Sequence, residues 1–370
     1  MMRKIQIHLP GGPATLALSA GIKGPDAGNE VMFSAVRTID ASHVFTAGPG
    51  SIPSALWATQ NGAKTISWSD NANWAACLRE SFLSSELIIP DHHISAGFDT
   101  LPVTVCDLAL LHLPRGKAQQ RELLELAAAI LSPGGRLYFS GSKQEGVKSA
   151  LKMARDLFKQ AGIIAHKGGY HAGMAQRPTG DFPLPHLTFD MTGILLDGQP
   201  AQLVSCTGVF AAGRLDGGAR TLIESLDIPR GSKVLDMGCG TGLVGLSALR
   251  KGADVSFSDV SARAVVSTQK TLLANGYQAE VAHTSGAEVW ADATFDLVLC
   301  NPPFHKGHGV DYETTRYLLD EARRVLRSGG SLYLVANSFL KYRAWIERNF
   351  SQVTIRHENS QFRVWQGTRL

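Results

Sequence analysis

The sequence predicts an α/β protein made of two tandem copies of one domain, each with a largely parallel sheet covered by helices. Three pairs of segments recur in the same order: NGAKTISWSD (61–70) with KGADVSFSD (251–259), DLALLHLP (107–114) with DLVLCNPP (296–303), and LSPGGRLY (131–138) with LRSGGSLY (326–333). Short apolar runs alternate with helical patterns in each copy, which is typical of parallel α/β layers. A repeat of this length indicates a duplicated domain rather than a solenoid.

The elements are clearest in the second copy. Apolar runs predict strands over 234–236, 255–258, 280–282, 297–300 and 331–335, and helical periodicity predicts helices over 242–250, 262–275 and 312–326. The tail predicts a hairpin of strands over 352–356 and 362–366. Between the copies, residues 168–202 are rich in Gly and Pro and predict a connector or a crossover arm rather than a packed element. We therefore expect domains over 1–190 and 191–370.

Composition excludes several classes of protein. The 370 residues are 44% hydrophobic and 18% charged, which indicates a folded chain of two or three domains rather than a disordered one. No apolar run approaches the roughly 20 residues of a membrane span, and the N-terminus lacks a secretory signal. The five cysteines are dispersed, without metal-ligand spacing. We expect a reduced, cytoplasmic protein with no membrane association and no metal. The net charge of +4 permits a nucleic-acid partner without requiring one.

A glycine-rich turn predicts a cofactor site. VLDMGCGTG (234–242) runs from a strand into a helix and has G-x-G-x-G spacing after an acidic residue, unlike the G-x-G-x-x-G of dinucleotide folds. No Walker lysine follows, so this turn favours S-adenosylmethionine over a nucleoside triphosphate. The predicted cofactor residues are Asp236, Gly238, Cys239, Gly240 and Gly242. We expect Asp236 to face the amino-acid part of the ligand or its water shell, and Cys239 and Cys300 to be packing residues rather than nucleophiles.

Asp259 ends the next predicted strand, 19 residues after Gly240. A carboxylate there can accept hydrogen bonds from both ribose hydroxyls, as the acidic residue of dinucleotide folds does. The alternative is that Asp259 only caps the helix that follows.

FDLVLCNPPF (295–304) predicts the catalytic group. The Asn301 side-chain oxygen and the Pro302 carbonyl can each accept an N–H of one exocyclic amine, while Pro302 and Pro303 hold the backbone rigid. Phe304 can stack on the planar ring that carries this amine. The alternative is a strand-ending turn without chemistry.

These motifs resemble class I S-adenosylmethionine-dependent methyltransferases that act on planar amines. TGVFAAGRLDGGARTLIESL (207–226), NPPFH (301–305), VANSFLKY (335–342) and QFRVW (361–365) further resemble the bacterial ribosomal RNA guanine-N2 methyltransferases, and GSKQEGVKSA (141–150) favours their 16S members. The resemblance implies two tandem Rossmann-like domains, each a mostly parallel seven-stranded sheet flanked by helices, of which only the second is active. It implies further cofactor contacts at Phe210, Asp216, Gly217, Val260, Ser285, Gly286 and Asn301. A plain strand and turn over 203–212 is the alternative for Phe210.

The first copy departs from this pattern. Thr46 in TAGPGSIP (46–53) replaces the acidic residue before the glycine loop, and His112 stands where Asn301 stands. We expect the first copy to keep the fold, to have lost cofactor binding and to serve RNA recognition or structure.

The resemblance implies methylation of the N2 amine of an unpaired or flipped guanine in 16S rRNA of the small ribosomal subunit. The alternatives are a 23S rRNA guanine, an adenine N6, a protein glutamine N5, and an assembly factor without activity. The two copies are compatible with a monomer packed as an internal pseudo-dimer. Two basic segments could contact RNA or simply be solvated: a predicted helical stripe of Lys148, Lys152, Arg155 and Lys159, and the tail 341–369, with six basic and two acidic residues.

Overall fold

The computed structural model describes residues 2–19, 22, 24–101, 106–302, 312–340 and 342–370. The chain divides into two compact units, Met1–Leu187 and Thr188–Leu370. The boundary predicted from the connector lay at residue 190.

Each unit begins with a β-hairpin and continues into an α/β domain. The first contains β1 (Arg3–Leu9), β2 (Gly12–Leu18), α1 (Ala27–Ala35), β3 (His43–Ala47), α2 (Ser51–Gln60), β4 (Lys64–Ser69), α3 (Ala72–Ser84), β5 (Asp91–Ile94), β6 (Cys106–His112), α4 (Lys117–Ile130), β7 (Leu131–Ser142), α5 (Val147–Leu157), β8 (Lys159–Lys167) and β9 (Tyr170–Gln176).

The second unit repeats this order. It contains β10 (Phe189–Leu196), β11 (Gln199–Cys206), α6 (Gly217–Glu224), β12 (Lys233–Met237), α7 (Leu243–Arg250), β13 (Asp254–Asp259), α8 (Ala262–Ala274), β14 (Val281–His283), β15 (Phe295–Cys300), α9 (Tyr312–Val325), β16 (Leu326–Asn337), α10 (Arg343–Asn349), β17 (Ser351–Glu358) and β18 (Phe362–Thr368).

Each unit has a seven-stranded sheet, with the order β5-β4-β3-β6-β7-β9-β8 in the first and β14-β13-β12-β15-β16-β18-β17 in the second. Five neighbouring strands are parallel in each sheet. The sixth strand (β9 or β18) runs antiparallel to them, and the edge strand (β8 or β17) runs antiparallel to the sixth. The prediction of two Rossmann-like domains with mostly parallel seven-stranded sheets is therefore confirmed. In the second sheet the chain runs outward from β12 to β14 and then returns to β15 on the other side of β12. That reversal opens a crevice at the carboxyl ends of β12 and β15.

The second sheet is covered by apolar side chains on both faces. Alternate residues of β15 enter two different clusters of buried residues, with Leu297 and Leu299 in one and Val298 and Cys300 in the other. A central parallel strand that is buried on both sides is apolar at nearly every position, which is why this run was visible in the sequence.

Two predictions about the first unit and the connector need correction. The Gly- and Pro-rich segment 168–202 is a connector only over 177–188, which has neither helix nor strand and contains the boundary between the units. The rest of the segment belongs to hairpins, because Gly168 and Gly169 form the turn between β8 and β9, and Gly198 lies in the turn between β10 and β11. The four basic residues do not form one helical stripe, because α5 ends at Leu157 and Lys159 opens β8.

The hairpin β10–β11 is attached to α8 by side chains spaced four residues apart. Thr271 Oγ1 accepts a hydrogen bond from Val204 N and donates one to Val204 O, both at 3.0 Å. Ser267 Oγ accepts from Cys206 N, Arg263 donates to Thr207 O, and Asn275 bonds both backbone groups of Gln202. Spacing of four places these side chains on one helix face. The first unit has the same kind of attachment. Ser81 of α3 and Ser85 at its C-terminal end accept hydrogen bonds from the backbone amides of Ala17 and Thr15 in β2.

No helix within the described part of the chain has both the length and the apolar character to span a membrane.

We expect Thr271→Val to destabilise the second unit. The buried Val204 N–H and C=O would both lose their partner, at a cost of about 1–3 kcal/mol in the free energy of unfolding. Urea unfolding measures the loss, and hydrogen exchange should show reduced protection of the Val204 amide. Thr271→Ser keeps the hydroxyl and serves as the matched control. Equal protection of Val204 in the Val and Ser variants would contradict this role.

Candidate active site

The predicted site residues meet at the carboxyl edge of the second sheet. Asp236 is the penultimate residue of β12, Asp259 ends β13, and Asn301 directly follows β15. Because β13, β12 and β15 are adjacent and parallel, their carboxyl ends lie side by side at the crevice. Residues far apart in sequence are thus brought together by strand order.

The glycine loop after β12 leaves open space in front of its backbone. Gly238 and Gly240 have φ of +78° and +58°, and a Cβ atom added at either would meet no atom within 4 Å. Such φ values favour glycine, and the missing side chains let a ligand approach the backbone. The amides of Gly238 and Cys239 both donate to Ser258 O at 2.9 Å, and Gly242 opens α7 with φ of +79°. The loop is therefore fixed from behind and open in front.

Asp259 fastens this loop to the start of the next helix. One carboxylate oxygen accepts from Gly240 N and the other from Ser261 N, each at 2.9 Å. Ser261, not Asp259, is the N-cap residue of α8, and its hydroxyl oxygen accepts from Ala264 N. The simple capping alternative for Asp259 therefore does not describe its position, and its contact with a ribose stays a prediction.

Asp236 lies underneath the loop. Its side chain is 3% exposed, and Oδ2 accepts from Gly245 N in the first turns of α7 at 2.8 Å. A Cβ at position 245 would lie 2.2 Å from the Phe257 ring and 3.0 Å from this oxygen, so only glycine allows the close approach. Burial, with a smaller effect of the Asp259 charge, raises the pKa of Asp236 to about 7. Its visible role is to hold the loop and helix together, and its contact with the cofactor stays a prediction.

The cysteines at the site are packing residues. Cys239 and Cys300 are buried, and burial raises the pKa of both thiols, so neither is a thiolate near neutral pH. The Cys239 sulfur lies 3.3 Å from Thr268 Oγ1, and that hydroxyl also donates to Gly240 O. Thr268 of α8 thus supports the glycine loop, a role that sequence reasoning missed.

Asn301 lies beside the N-terminus of α6. Its Oδ1 is 3.2 Å from where a Cβ at Gly218 would lie, so a larger residue there would crowd the amide. Asp216 caps α6 by accepting from Gly218 N and Ala219 N, while Gly217 packs against the Phe362 ring. None of the described residues hydrogen-bonds to the Asn301 amide, which is half-buried. Pro302 is buried, whereas Pro303 and Phe304 lie outside the described residues.

The segment after β14, which contains Ser285 and Gly286, is held by α9. The single O–H of Tyr317 is shared between two acceptors, because Oη lies 3.1 Å from Ser285 O and 2.6 Å from Glu288 Oε1. Arg324 donates to the carbonyls of Ala287 and Trp290, both at 2.8 Å. The only signal in the sequence was the helical spacing of these α9 residues. The sequence predicted the segment at Ser285 and Gly286 but not the α9 side chains that hold it.

Phe210 and Val260 are the remaining residues predicted to contact the cofactor. Phe210 lies between β11 and α6 with its side chain 66% exposed. The Val260 carbonyl lies 3.0 Å from His283 Nε2, which links the ends of β13 and β14. Neither observation tests cofactor contact, so both residues stay predictions.

The first unit fills the corresponding space with the backbone and side chain of His112 and with the side chain of Asn29. Gly48 and Gly50 are the equivalents of Gly238 and Gly240. A Cβ added at Gly48 would lie 1.8 Å from His112 O, and one added at Gly50 would lie 2.7 Å from His112 Nδ1. The Asn29 amide donates to Gly50 O at 3.1 Å and lies 2.7 Å from His112 Nε2. Burial lowers the pKa of His112 to about 4, so the ring is neutral at pH 7. The open space in front of the second glycine loop has no counterpart in the first.

Across the described ranges, no three or more His, Cys, Asp or Glu side chains are grouped to hold a metal ion.

Comparison with known proteins matches both units. Residues 200–366 match the methyltransferase small domain, and residues 62–166 match its N-terminal counterpart. The chain is 37% identical to ribosomal RNA small subunit methyltransferase C of Pseudomonas entomophila over 273 residues, which is 73% of this chain and 81% of the relative. It is 36% identical to the Pseudomonas fluorescens protein of the same name, covering 72% of this chain and 81% of that one.

A solved structure is similar over the whole chain. The T. thermophilus 16S rRNA N2 G1207 methyltransferase, in complex with AdoMet and guanosine, superposes with a TM-score of 0.82 and 26% identity. The match covers 100% of this chain and 98% of that one.

The raised pKa of Asp236 predicts a pH dependence of stability. The folded chain binds the carboxyl proton of Asp236 more tightly than the unfolded chain does. The stabilisation that this proton gives the folded chain is therefore fully present below about pH 4 and is lost as pH rises through about 7. In Asp236→Asn this slope should disappear. The measurement is the difference in unfolding free energy between the two proteins at pH values from about 4 to 8. A difference that is constant over this range would contradict the buried, protonated carboxyl.

Proposed function

The chain belongs to the ribosomal RNA small subunit methyltransferase C family, and we propose that its second unit methylates the exocyclic N2 amine of a guanine in 16S rRNA with S-adenosylmethionine. One observation carries the proposal. An open glycine loop and the half-buried Asn301 amide lie at one sheet edge in the second unit, while the first unit fills that space with His112 and Asn29.

The residues at the edge fit this cofactor. The open backbone at Gly238 and Gly240 can receive its amino-acid part, the Asp259 carboxylate its ribose, and the segment at Ser285 and Gly286 its adenine. When bound, S-adenosylmethionine supplies a methyl group activated by a sulfonium. The protein contributes position, because the loop is held from behind by Ser258, Thr268 and Asp259.

Asn301 and Pro302 orient the acceptor amine. The Asn301 Oδ1 and the Pro302 carbonyl would each accept one N–H of guanine N2, which turns the nitrogen lone pair out of the ring plane toward the methyl donor. The amine becomes acidic once methylated, so its proton can pass to water without a dedicated base. N2 faces the minor-groove side of a base pair, and the target guanine must therefore be unpaired or flipped out.

We assign the first unit no cofactor. The His112–Asn29 contact occupies the place where a ligand would lie, and the unit retains the fold. We further propose a cytoplasmic monomer, in which the two similar units take the place of a dimer.

The function is tested with tritiated S-adenosylmethionine and separately purified, unmodified small subunits, 16S rRNA and 23S rRNA. Label in N2-methylguanosine from small-subunit samples alone is expected. Label in 23S rRNA, N6-methyladenosine or a protein glutamine would replace the proposed substrate. Cofactor binding without any transfer would point to a different acceptor, and absence of cofactor binding would leave an assembly factor without activity.

Asn301→Ala should lower kcat by about 100-fold, because it removes one of two acceptors that orient the amine in the transition state. Cofactor affinity, measured by calorimetry, should change little. Asn349→Ala, at a half-buried asparagine at the end of α10 away from the crevice, is the matched control and should retain full kcat. Loss of activity confined to KM in Asn301→Ala would contradict this role.

Tyr317→Phe should raise the KM for S-adenosylmethionine by about 3- to 10-fold, because it frees the Ser285 carbonyl and Glu288 from α9. The kcat should stay within about 2-fold, since Tyr317 acts through the adenine segment and not on the amine. Initial rates at saturating RNA measure both constants. A fall in kcat at unchanged cofactor KM would assign Tyr317 a different role.

A further inference from the structure

A turn next to the crevice presents an exposed aromatic side chain. β16 is the neighbour of β15 in the sheet and ends at Asn337, which pairs with Phe362 at the start of β18. The residues that follow β16 therefore lie at the same edge as Asn301. Phe339, two residues beyond the strand, has a side chain that is 67% exposed.

The turn that carries Phe339 is anchored on both sides. Leu340 N donates to Asn337 O at 2.9 Å and closes the turn. Ser338 N donates to Gln361 O at 2.9 Å, and its hydroxyl donates to Ser360 O at 3.2 Å. Leu340 is buried in the core. The Phe339 ring therefore projects from a fixed backbone and is not the end of a loose loop.

The anchor is continuous with the candidate active site. Asn359 Oδ1 accepts from Gln361 N and Phe362 N, and its amide donates to Thr221 of α6. The Phe362 ring packs against Gly217 at the start of the same helix, next to the Gly218 position that faces Asn301. A connected set of hydrogen bonds and packing contacts thus runs from the Phe339 turn to the amide that would orient the target amine.

The surroundings of Phe339 identify the kind of partner. Its neighbours on the two turns are polar, namely Ser338, Asn359, Ser360 and Gln361, and Leu340 is buried, so Phe339 is the one exposed apolar side chain among the described residues of these turns. A protein interface buries a cluster of apolar anchors, whereas a nucleobase offers one flat face and an edge of donors and acceptors. A single aromatic ring can stack on the flat face of a nucleobase, and the amides and hydroxyls around it can hydrogen-bond to the edge of the base.

We propose that Phe339 stacks on an unpaired base of the RNA adjacent to the target guanine and so holds the substrate strand at the crevice. The proposal rests on the proposed function, because it concerns the RNA that the second unit would methylate. Stacking on an aromatic side chain is tolerant of base identity. Phe339 would therefore set affinity for an opened RNA strand, while the crevice selects guanine.

The test uses the full chain with small subunits as substrate. Phe339→Ala should raise the KM for RNA by about 10-fold, leave the KM for S-adenosylmethionine unchanged, and change kcat by less than about 2-fold. Phe339→Trp should restore the RNA KM, and Phe339→Leu should not, because leucine is apolar but has no aromatic face. Leu273→Ala on α8, also 67% exposed, is the matched control and should behave as the unaltered chain.

The possible outcomes separate this proposal from the function it rests on. If the unaltered chain methylates no RNA, the proposed function fails whatever Phe339 does. If the unaltered chain is active and Phe339→Ala keeps its RNA KM, or Phe339→Leu restores it as fully as Phe339→Trp, the stacking role is wrong. An equal loss of cofactor affinity in Phe339→Ala would also overturn it, because Phe339 would then act on the cofactor site.

Discussion

The return of the chain to β15 beside β12 is the constraint on which the candidate site depends. The strand order β13-β12-β15 places the ends of three strands next to each other, although Asp236, Asp259 and Asn301 are widely separated in sequence. The chain runs outward from β12 through β13 and returns at β15 on the other side of β12, and such a reversal opens a crevice at the carboxyl ends of the strands. Any residue that acts on a ligand here must follow one of these strands or lie on a segment packed against them, as α6 does.

Preorganisation of the crevice comes from hydrogen bonds behind the glycine loop. Asp236 holds Gly245 of the following helix, Asp259 holds Gly240, and Thr268 donates to the Gly240 carbonyl. These bonds fix a backbone whose glycines leave the opposite side free. A ligand that binds there need not order the loop, so less of its binding free energy is lost to conformational entropy.

Sequence reasoning found what depends on local pattern and missed what depends on distant partners. The central strands, α7, α8 and α9 and the C-terminal hairpin were predictable because a buried strand is apolar throughout and a surface helix is periodic. Length alone does not decide this, because α6 and α7 both have eight residues. The glycine-rich turn marks the start of α7, whereas α6 and the seven-residue α10 have no such signal and were not predicted. The attachment of β11 to α8 joins backbone groups to side chains more than 50 residues away, such as Val204 to Thr271. Asp236 was predicted at the site, but its position beneath the loop depends on the close approach of Gly245.

Comparison of the two units shows which features the fold requires and which features the candidate active site requires. Both keep the strand order, the leading hairpin and its attachment to a helix, because these depend on apolar strands and on hydroxyls such as Ser81 and Thr271. They differ in the space in front of the glycine loop, which is filled in the first unit and open in the second. His112 and Asn29 satisfy each other in that space, so the first unit loses no buried hydrogen bond by closing it. The second unit leaves the Asn301 amide without such a partner among the described residues, and a bound amine can take that place.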